Sequence, residues 1–410
     1  MTGNARTSWP DRDLLLRVVQ APAQHFDDPD LQASTFTRGR LNLPQAWSGG
    51  RAIVFQTRNR SGEPQAIRFF LAPNATAEAR YEALVAHVTD TSGAIVSTQW
   101  CPRGLVLGDE RFPFLRMRWV SGNPLDRHLD DVLRSSDGQR WCAQLAEQWR
   151  ATCEELRNLQ VAHGDIHAGN ILIEPIDGRV ALRLVDYDNV WVPGLAVTSR
   201  EDGHPSFRHP THDPSHWGPG IDAFANALVY LSLRAVAADP GLWRHHRTDD
   251  ALIFTRSDLL DPAAPVWGEL RVSHDPSVRA LTDTILGWLA APPDVLASLE
   301  EALRARPPQP PTSRVSEPEM NVWPPREPED RADDHQTWGA PGSAGPRPTT
   351  SGTGPVSAAP AGNQRWGPPH QPPPITPPPS GDWMSEHPRA RTALVILAIC
   401  VLVVLLGVLL

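Results

Sequence analysis

The stretch Val161-Ala162-His163-Gly164-Asp165-Ile166-His167-Ala168-Gly169-Asn170-Ile171-Leu172-Ile173 decides the reading of this chain. It is followed by Val180-Ala181-Leu182-Arg183-Leu184-Val185-Asp186-Tyr187-Asp188. A tight polar run is bracketed by two apolar, strand-like pieces. Ile171-Leu172-Ile173 and Leu182-Arg183-Leu184-Val185 can pair as a hairpin, with Asp177-Gly178 as the turn signal between them. That pairing brings Asn170 close to Asp186. One amide oxygen and one carboxylate converging from different strands suit a hard cation such as Mg2+ bound to phosphates. Asp165, five residues before Asn170, can then face an acceptor hydroxyl. Phosphoryl transfer needs this set: a metal, positioning and an oriented nucleophile, with little covalent chemistry.

Upstream, Ala52-Ile53-Val54-Phe55-Gln56 and Gln65-Ala66-Ile67-Arg68-Phe69-Phe70 read as strands around a turn at Asn59-Arg60-Ser61-Gly62-Glu63. A helix is expected from about Thr76 to Val88, and a strand over Phe114–Val120, ended by Ser121-Gly122-Asn123-Pro124. Beyond these the pattern is mainly helical. Trp141, Leu145, Trp149, Cys153 and Leu156 recur at helical spacing, and residues 222–236 and 277–289 also read as helices. The expected fold class is therefore α+β, with a strand-rich lobe at 12–120 and a helical lobe at 121–306. The joint between lobes is a natural cleft.

The paired motifs resemble the protein kinase-like superfamily. His163-Gly164-Asp165 with Asn170 matches its catalytic loop, and Asp186-Tyr187-Asp188 stands where its metal-binding Asp-Phe-Gly stands. More closely, the chain looks like a group of bacterial kinase-like proteins with Asp-Tyr-Asp followed by Trp-Val-Pro, here Trp191-Val192-Pro193. The resemblance covers roughly residues 15 to 300. It implies a bilobal fold, ATP and Mg2+ as cofactors, and a protein substrate phosphorylated on serine or threonine. Asp165 would be the base, Asn170 and Asp186 the metal ligands, and His167 a donor near the transferred phosphate. Gly49, Gly50 and Val54 would form the loop over the nucleotide, and backbone groups of Met117–Trp119 would meet the adenine. Arg68 takes the position of the phosphate-binding lysine, with Glu82, or Glu78 one turn earlier, as its acidic partner. Asp222 would hydrogen-bond the catalytic-loop backbone. Gly164 stands where regulated kinases carry arginine, so activation by phosphorylation of the following segment is not expected. Two other functions fit the resemblance: a pseudokinase that scaffolds or senses nucleotide at a membrane, and a small-molecule phosphotransferase.

Composition sets the frame. The chain has 410 residues, 38 basic and 47 acidic side chains, and a net charge of −9. No basic excess is present to neutralise phosphates, so nucleic acid is not an expected partner. All the basic side chains are arginine. The four cysteines, Cys101, Cys142, Cys153 and Cys400, form neither a disulfide framework nor a zinc spacing. His209 and His212 complete no zinc pattern either. Residues 1–13 lack the apolar core of a secretory signal.

Residues 307–392 read as a linker, because 22 of the 43 prolines fall between Glu301 and Ala390. Its proline runs could dock in a partner's aromatic groove. Ala393–Leu410 is an uncharged apolar run preceded by Arg389 and Arg391. As a helix it would be about 27 Å long, near the thickness of a bilayer core. The expectation is a transmembrane helix at 393–410 tethering a cytoplasmic kinase domain to the cell membrane.

Overall fold

The computed structural model describes residues 9–39, 41–88, 92–177, 179–197, 202–211, 217–248, 251–290 and 296–304. Three short helices lead the chain: α1 (Arg12–Val18), α2 (Pro22–His25) and α3 (Pro29–Gln32). Strands β1 (Thr35–Phe36), β2 (Ala46–Ser48), β3 (Ala52–Arg58) and β4 (Pro64–Phe70) follow, then helix α4 (Ala77–His87) and strands β5 (Thr98–Leu107) and β6 (Glu110–Arg118). These six strands form one antiparallel sheet in the order β1-β3-β4-β6-β5, with β2 also on β3.

Alternation along β3 and β4 sorts their side chains between two cores. Ile53, Phe55, Ile67 and Phe69 meet Leu15, Val18, Phe26 and Leu31 of the N-terminal helices. Val54, Ala66 and Phe70 face the opposite way, into the main core. Arg68 alternates with Ile67 and Phe69, so it lies on this inner face, paired in register with Val54. Both faces of the sheet are covered, which is why β3 reads as an apolar run rather than an alternating one.

The remaining described chain is mainly helical. Strand β7 (Asn123–Pro124) runs into α5 (Leu125–Val132) and α6 (Gly138–Asn158). Strands β8 (Ile171–Ile176) and β9 (Arg179–Leu184) form the expected hairpin, with Ile171 opposite Leu184, and β7 adds a third strand. Then come α7 (Ala223–Ala238), α8 (Gly241–His246), α9 (Arg256–Leu260), α10 (Pro265–Arg271), α11 (Pro276–Leu289) and α12 (Leu299–Arg304). Trp149 of α6 is fully buried and donates to the Asn226 carbonyl of α7 at 3.0 Å. An ion pair links the end of the large sheet to the small one: the buried Glu174 of β8 accepts from Arg118, which is exposed, and from Arg183.

The expected architecture is corrected on one major count. The fold is mixed α+β with two sheets, and among the described residues no helix is long and apolar enough to cross a membrane. The longest described helix, α6, carries six charged side chains and an amphipathic pattern suited to packing on α7. Residues 393–410, where the span was expected, lie outside the described residues, as do the proline-rich 307–392, His212 and Cys400. The bilobal fold with a transmembrane helix, the membrane partnership and the cell-membrane location are therefore withdrawn. Elements that escaped expectation include the N-terminal helices α1–α3 and strands β1, β2, β5 and β7.

Candidate functional site

The polar loop before β8 is held from below. Asp222, just ahead of α7, accepts the backbone N–H of His163 at 2.5 Å and of Gly164 at 2.9 Å. This is the role expected of it. Burial raises its carboxyl above the usual range, against the pull of His163 and these two N–H groups. Gly164 has φ +79°, and a Cβ there would lie 2.2 Å from the Asn189 carbonyl oxygen. Glycine is therefore a steric requirement of the loop. The His163 ring accepts from the Asp165 N–H through Nδ1 and meets the Val185 carbonyl through Nε2, which fixes the Nε2–H tautomer.

Asp165, Asn170 and Asp186 do come to one region. The Val185 N–H donates to the Asn170 carbonyl at 3.1 Å, which joins the loop to the residue before Asp186. Each side chain has at least one atom already engaged. The Asn170 amide Nδ2 donates to the Asp165 carbonyl at 3.0 Å. The Asp165 Oδ1 accepts the His204 backbone N–H at 2.9 Å, and Gly203 sits directly over it.

Arg68 is the centre of the site. The residue is 5% exposed. Nη1 and Nη2 each lie 2.8 Å from an oxygen of Asp188, and Nη2 lies 3.0 and 3.1 Å from the two oxygens of Asp186. Tyr81 of α4 completes the cluster. Its hydroxyl donates to Asp188 Oδ1 at 2.9 Å and accepts the Tyr187 N–H at 3.1 Å. One guanidinium thus faces two carboxylates. Burial, together with the neighbouring Asp188 and Asp165 charges, pushes the Asp186 carboxyl up to about 7 despite Arg68. Burial also acts on Asp188, but its ion pair with Arg68 and its hydrogen bonds from Arg68 and Tyr81 outweigh it and hold that carboxyl below the usual range. Asp186 itself adopts φ +68°, a left-handed conformation uncommon for aspartate.

The expected partner of Arg68 is corrected here. Glu78 and Glu82 are exposed on the outer face of α4. The inner face presents Ala77, Arg80, Tyr81 and Leu84 instead. The Arg80 guanidinium reaches the Val190 carbonyl at 3.0 Å and lies 4.5 Å from the Trp217 ring.

The residues expected around a nucleotide base are core residues. Trp47 of β2 is 4% exposed and Trp119 is 9% exposed, and their ring centroids are 4.8 Å apart. Val54, Ala66 and Met117 belong to the same core cluster. Gly49 and Gly50 make the turn of the β2–β3 hairpin, closed by the Gly49 N–H on the Ala52 carbonyl at 3.0 Å. Arg12 of α1 caps the Gly49 carbonyl. A Cβ on Gly50 would meet nothing within 4 Å.

His167 is buried, and burial holds its pKa below the usual imidazole range despite Asp165. Its Nδ1 accepts the Gly169 N–H, so Nε2 bears the hydrogen, 3.9 Å from Asp165 Oδ2. The His204 ring stacks on it at 5.1 Å, and Phe207 packs against both.

The fit to Mg2+ and ATP follows from these contacts. Mg2+ demands oxygen ligands at about 2.0–2.1 Å in an octahedron. Both Asp186 oxygens are hydrogen-bonded to Arg68 instead, and among the described residues no group of three or more His, Cys, Asp or Glu side chains could hold a metal ion. The Asp186 carboxylate is thus engaged by Arg68, and Trp47 and Trp119 pack on each other in the core. The membrane-tethered ATP- and Mg2+-dependent serine/threonine kinase expected above is therefore corrected. Sequence reasoning missed Tyr81, Asp188 and His204 as parts of this site. One signal was available: Tyr81 and Tyr187 are two of only three tyrosines in the chain.

No protein-family model matches the chain, and no curated protein matches it.

Proposed function

We propose that residues 9–304 form a kinase-like domain that acts by binding a partner protein and not by transferring phosphate. The resemblance rests on the His163-Gly164-Asp165 loop, the Asp186-Tyr187-Asp188 motif and the Asp222 hydrogen bonds beneath them. The observation that carries the reading is the packing of Trp47 on Trp119. Two large rings, each more than nine-tenths buried, pack on each other next to the segment whose backbone the resemblance would set against a base. Making room there by moving the rings requires separating a packed aromatic pair, a contact worth about 0.5–1.5 kcal/mol beyond the area it buries.

Two further contacts support the same reading. The His204 N–H occupies one of the two Asp165 carboxylate oxygens, the group that would orient an acceptor hydroxyl. The Arg68 guanidinium occupies the Asp186 oxygens that would hold a cation. On this reading ATP and Mg2+, the cofactors the resemblance implies, are not ligands of the wild-type domain.

Calorimetric titration of the full chain with ATP, ADP and GTP, each with and without magnesium chloride, tests it. The expected result is no saturable heat. Saturable, magnesium-dependent binding that is lost in Asp186→Asn would overturn it.

A further inference from the structure

The site is built around an uncommon substitution of one cation for another. Asp186 and Asp188 present four carboxylate oxygens to one point, and a single guanidinium meets all four at 2.8–3.1 Å. Tyr81 donates a further bond to Asp188. Arginine suits this position better than lysine would. Its planar fork of five donors can serve two carboxylates at once, and it stays charged at any ordinary pH. The Arg68 guanidinium is screened from water by the sheet and by the Phe70 ring, 5.0 Å from its central carbon. Charge buried in this way is costly unless it is paired, so the carboxylates and the guanidinium hold each other in place.

We infer that Arg68 is the built-in counter-ion of this domain, seated between Asp186 and Asp188 where a divalent ion would otherwise neutralise them. The folded protein therefore needs no metal at this point, and the carboxylates become a metal site only when the guanidinium is removed. The inference rests on the reading of the cleft as one that transfers no phosphate. It goes further by assigning the residue that replaces the metal and by predicting a latent site beneath it. The ligands of that site would be Asp186 and Asp188, with water completing the shell. This all-oxygen set suits Mg2+ or Mn2+. Asp165 lies close enough to add its negative charge. Arg80 acts against metal uptake, because its positive charge is felt at Asp188.

The test uses the full chain and manganese or magnesium chloride alone, with no nucleotide and with sodium chloride matched for ionic strength. Wild type, Arg68→Met and Arg68→Met/Asp186→Asn/Asp188→Asn are compared by thermal melting and by Mn2+ binding measured from its electron paramagnetic resonance signal. Arg68→Met is expected to melt lower than wild type without metal. Its midpoint should then rise with the logarithm of metal concentration. It should take up one Mn2+ per chain at least about 100-fold more tightly than wild type does. Wild type and the triple variant should not respond. If Arg68→Met is unfolded without metal, the same inference requires that Mn2+ refold it. Saturable Mn2+ uptake by wild type would overturn the inference. So would an Arg68→Met protein whose melting, or failure to fold, is the same at every metal concentration. Neither result bears on nucleotide binding, which the titration above decides separately.

Discussion

Arg68 grips Asp188 with both ends of its fork, Nη1 and Nη2 each 2.8 Å from a different carboxylate oxygen. These residues lie 120 positions apart, one on the inner face of the large sheet and one just after the small sheet. Their contact ties the strand-rich part of the chain to the helical part. It also leaves Asp186 as the weaker, second partner of a guanidinium already committed.

That inequality predicts a pH dependence. Asp186 titrates near its ordinary value in the unfolded chain and near 7 in the folded one. Between those values the folded state holds more protons, so this residue makes wild-type stability fall as pH rises, and its effect levels off above about 7. Asparagine removes the charge and keeps an acceptor for Arg68. Asp186→Asn should therefore be more stable than wild type above pH 7, with an advantage that shrinks toward pH 4. Chemical denaturation across that range measures it. An advantage that grows on acidification would contradict the charge assignment.

Glycine 164 and glycine 50 should behave oppositely, although both lie in the motifs of the resemblance. Gly164→Ala meets both a positive φ and the Asn189 carbonyl, and should cost about 2–4 kcal/mol. Gly50→Ala meets open space and should stay within about 0.5 kcal/mol of wild type. Urea melts of the two variants check the contrast.

Tyr187 is the middle residue of the Asp-Tyr-Asp motif, and its hydroxyl serves the fold. It accepts the Val96 N–H at 2.7 Å and donates to the Leu184 carbonyl. The contact pins the segment before β5 to the end of β9. Tyr187→Phe leaves a buried N–H without its acceptor and should destabilise by about 1–3 kcal/mol. Hydrogen exchange at Val96 should rise in the same variant; unchanged exchange would mean that the hydroxyl is dispensable.

The tryptophan pair gives a fourth expectation. Trp47→Ala removes a nearly buried indole from the core beside Trp119 and should cost about 3–5 kcal/mol. Thermal melting measures the loss. A change near zero would show that the ring is not part of the packed core.

Much of the central fold was legible in the sequence. The β8–β9 hairpin, the β3–β4 pair, α4, α6, α7 and α11 follow from strong apolar patterns and a clear turn. Strand β5 was not legible, because Pro102 and Gly104 interrupt it and its pairing with β6 shifts register between Cys101 and Leu105. Helices α1–α3 are short and take their stability from the back of the sheet, which no local pattern reveals. At the site, the loop, its Asp222 support and the closeness of Asn170 to Asp186 were legible. The partners of Arg68 were not. Glu78 and Glu82 share a helical face with each other, but α4 turns that face to solvent and Tyr81 inward. Rotation of a helix about its axis is set by packing, and α4 carries too weak an amphipathic pattern to fix it from sequence.

Phosphate transfer from labelled MgATP is the most direct measurement of the central claim, that this site is closed by its own residues. Full-length wild type, Asp165→Ala and Arg68→Met are incubated with MgATP and a mixture of protein acceptors. The account predicts background labelling in all three. Labelling by wild type that Asp165→Ala abolishes would contradict it.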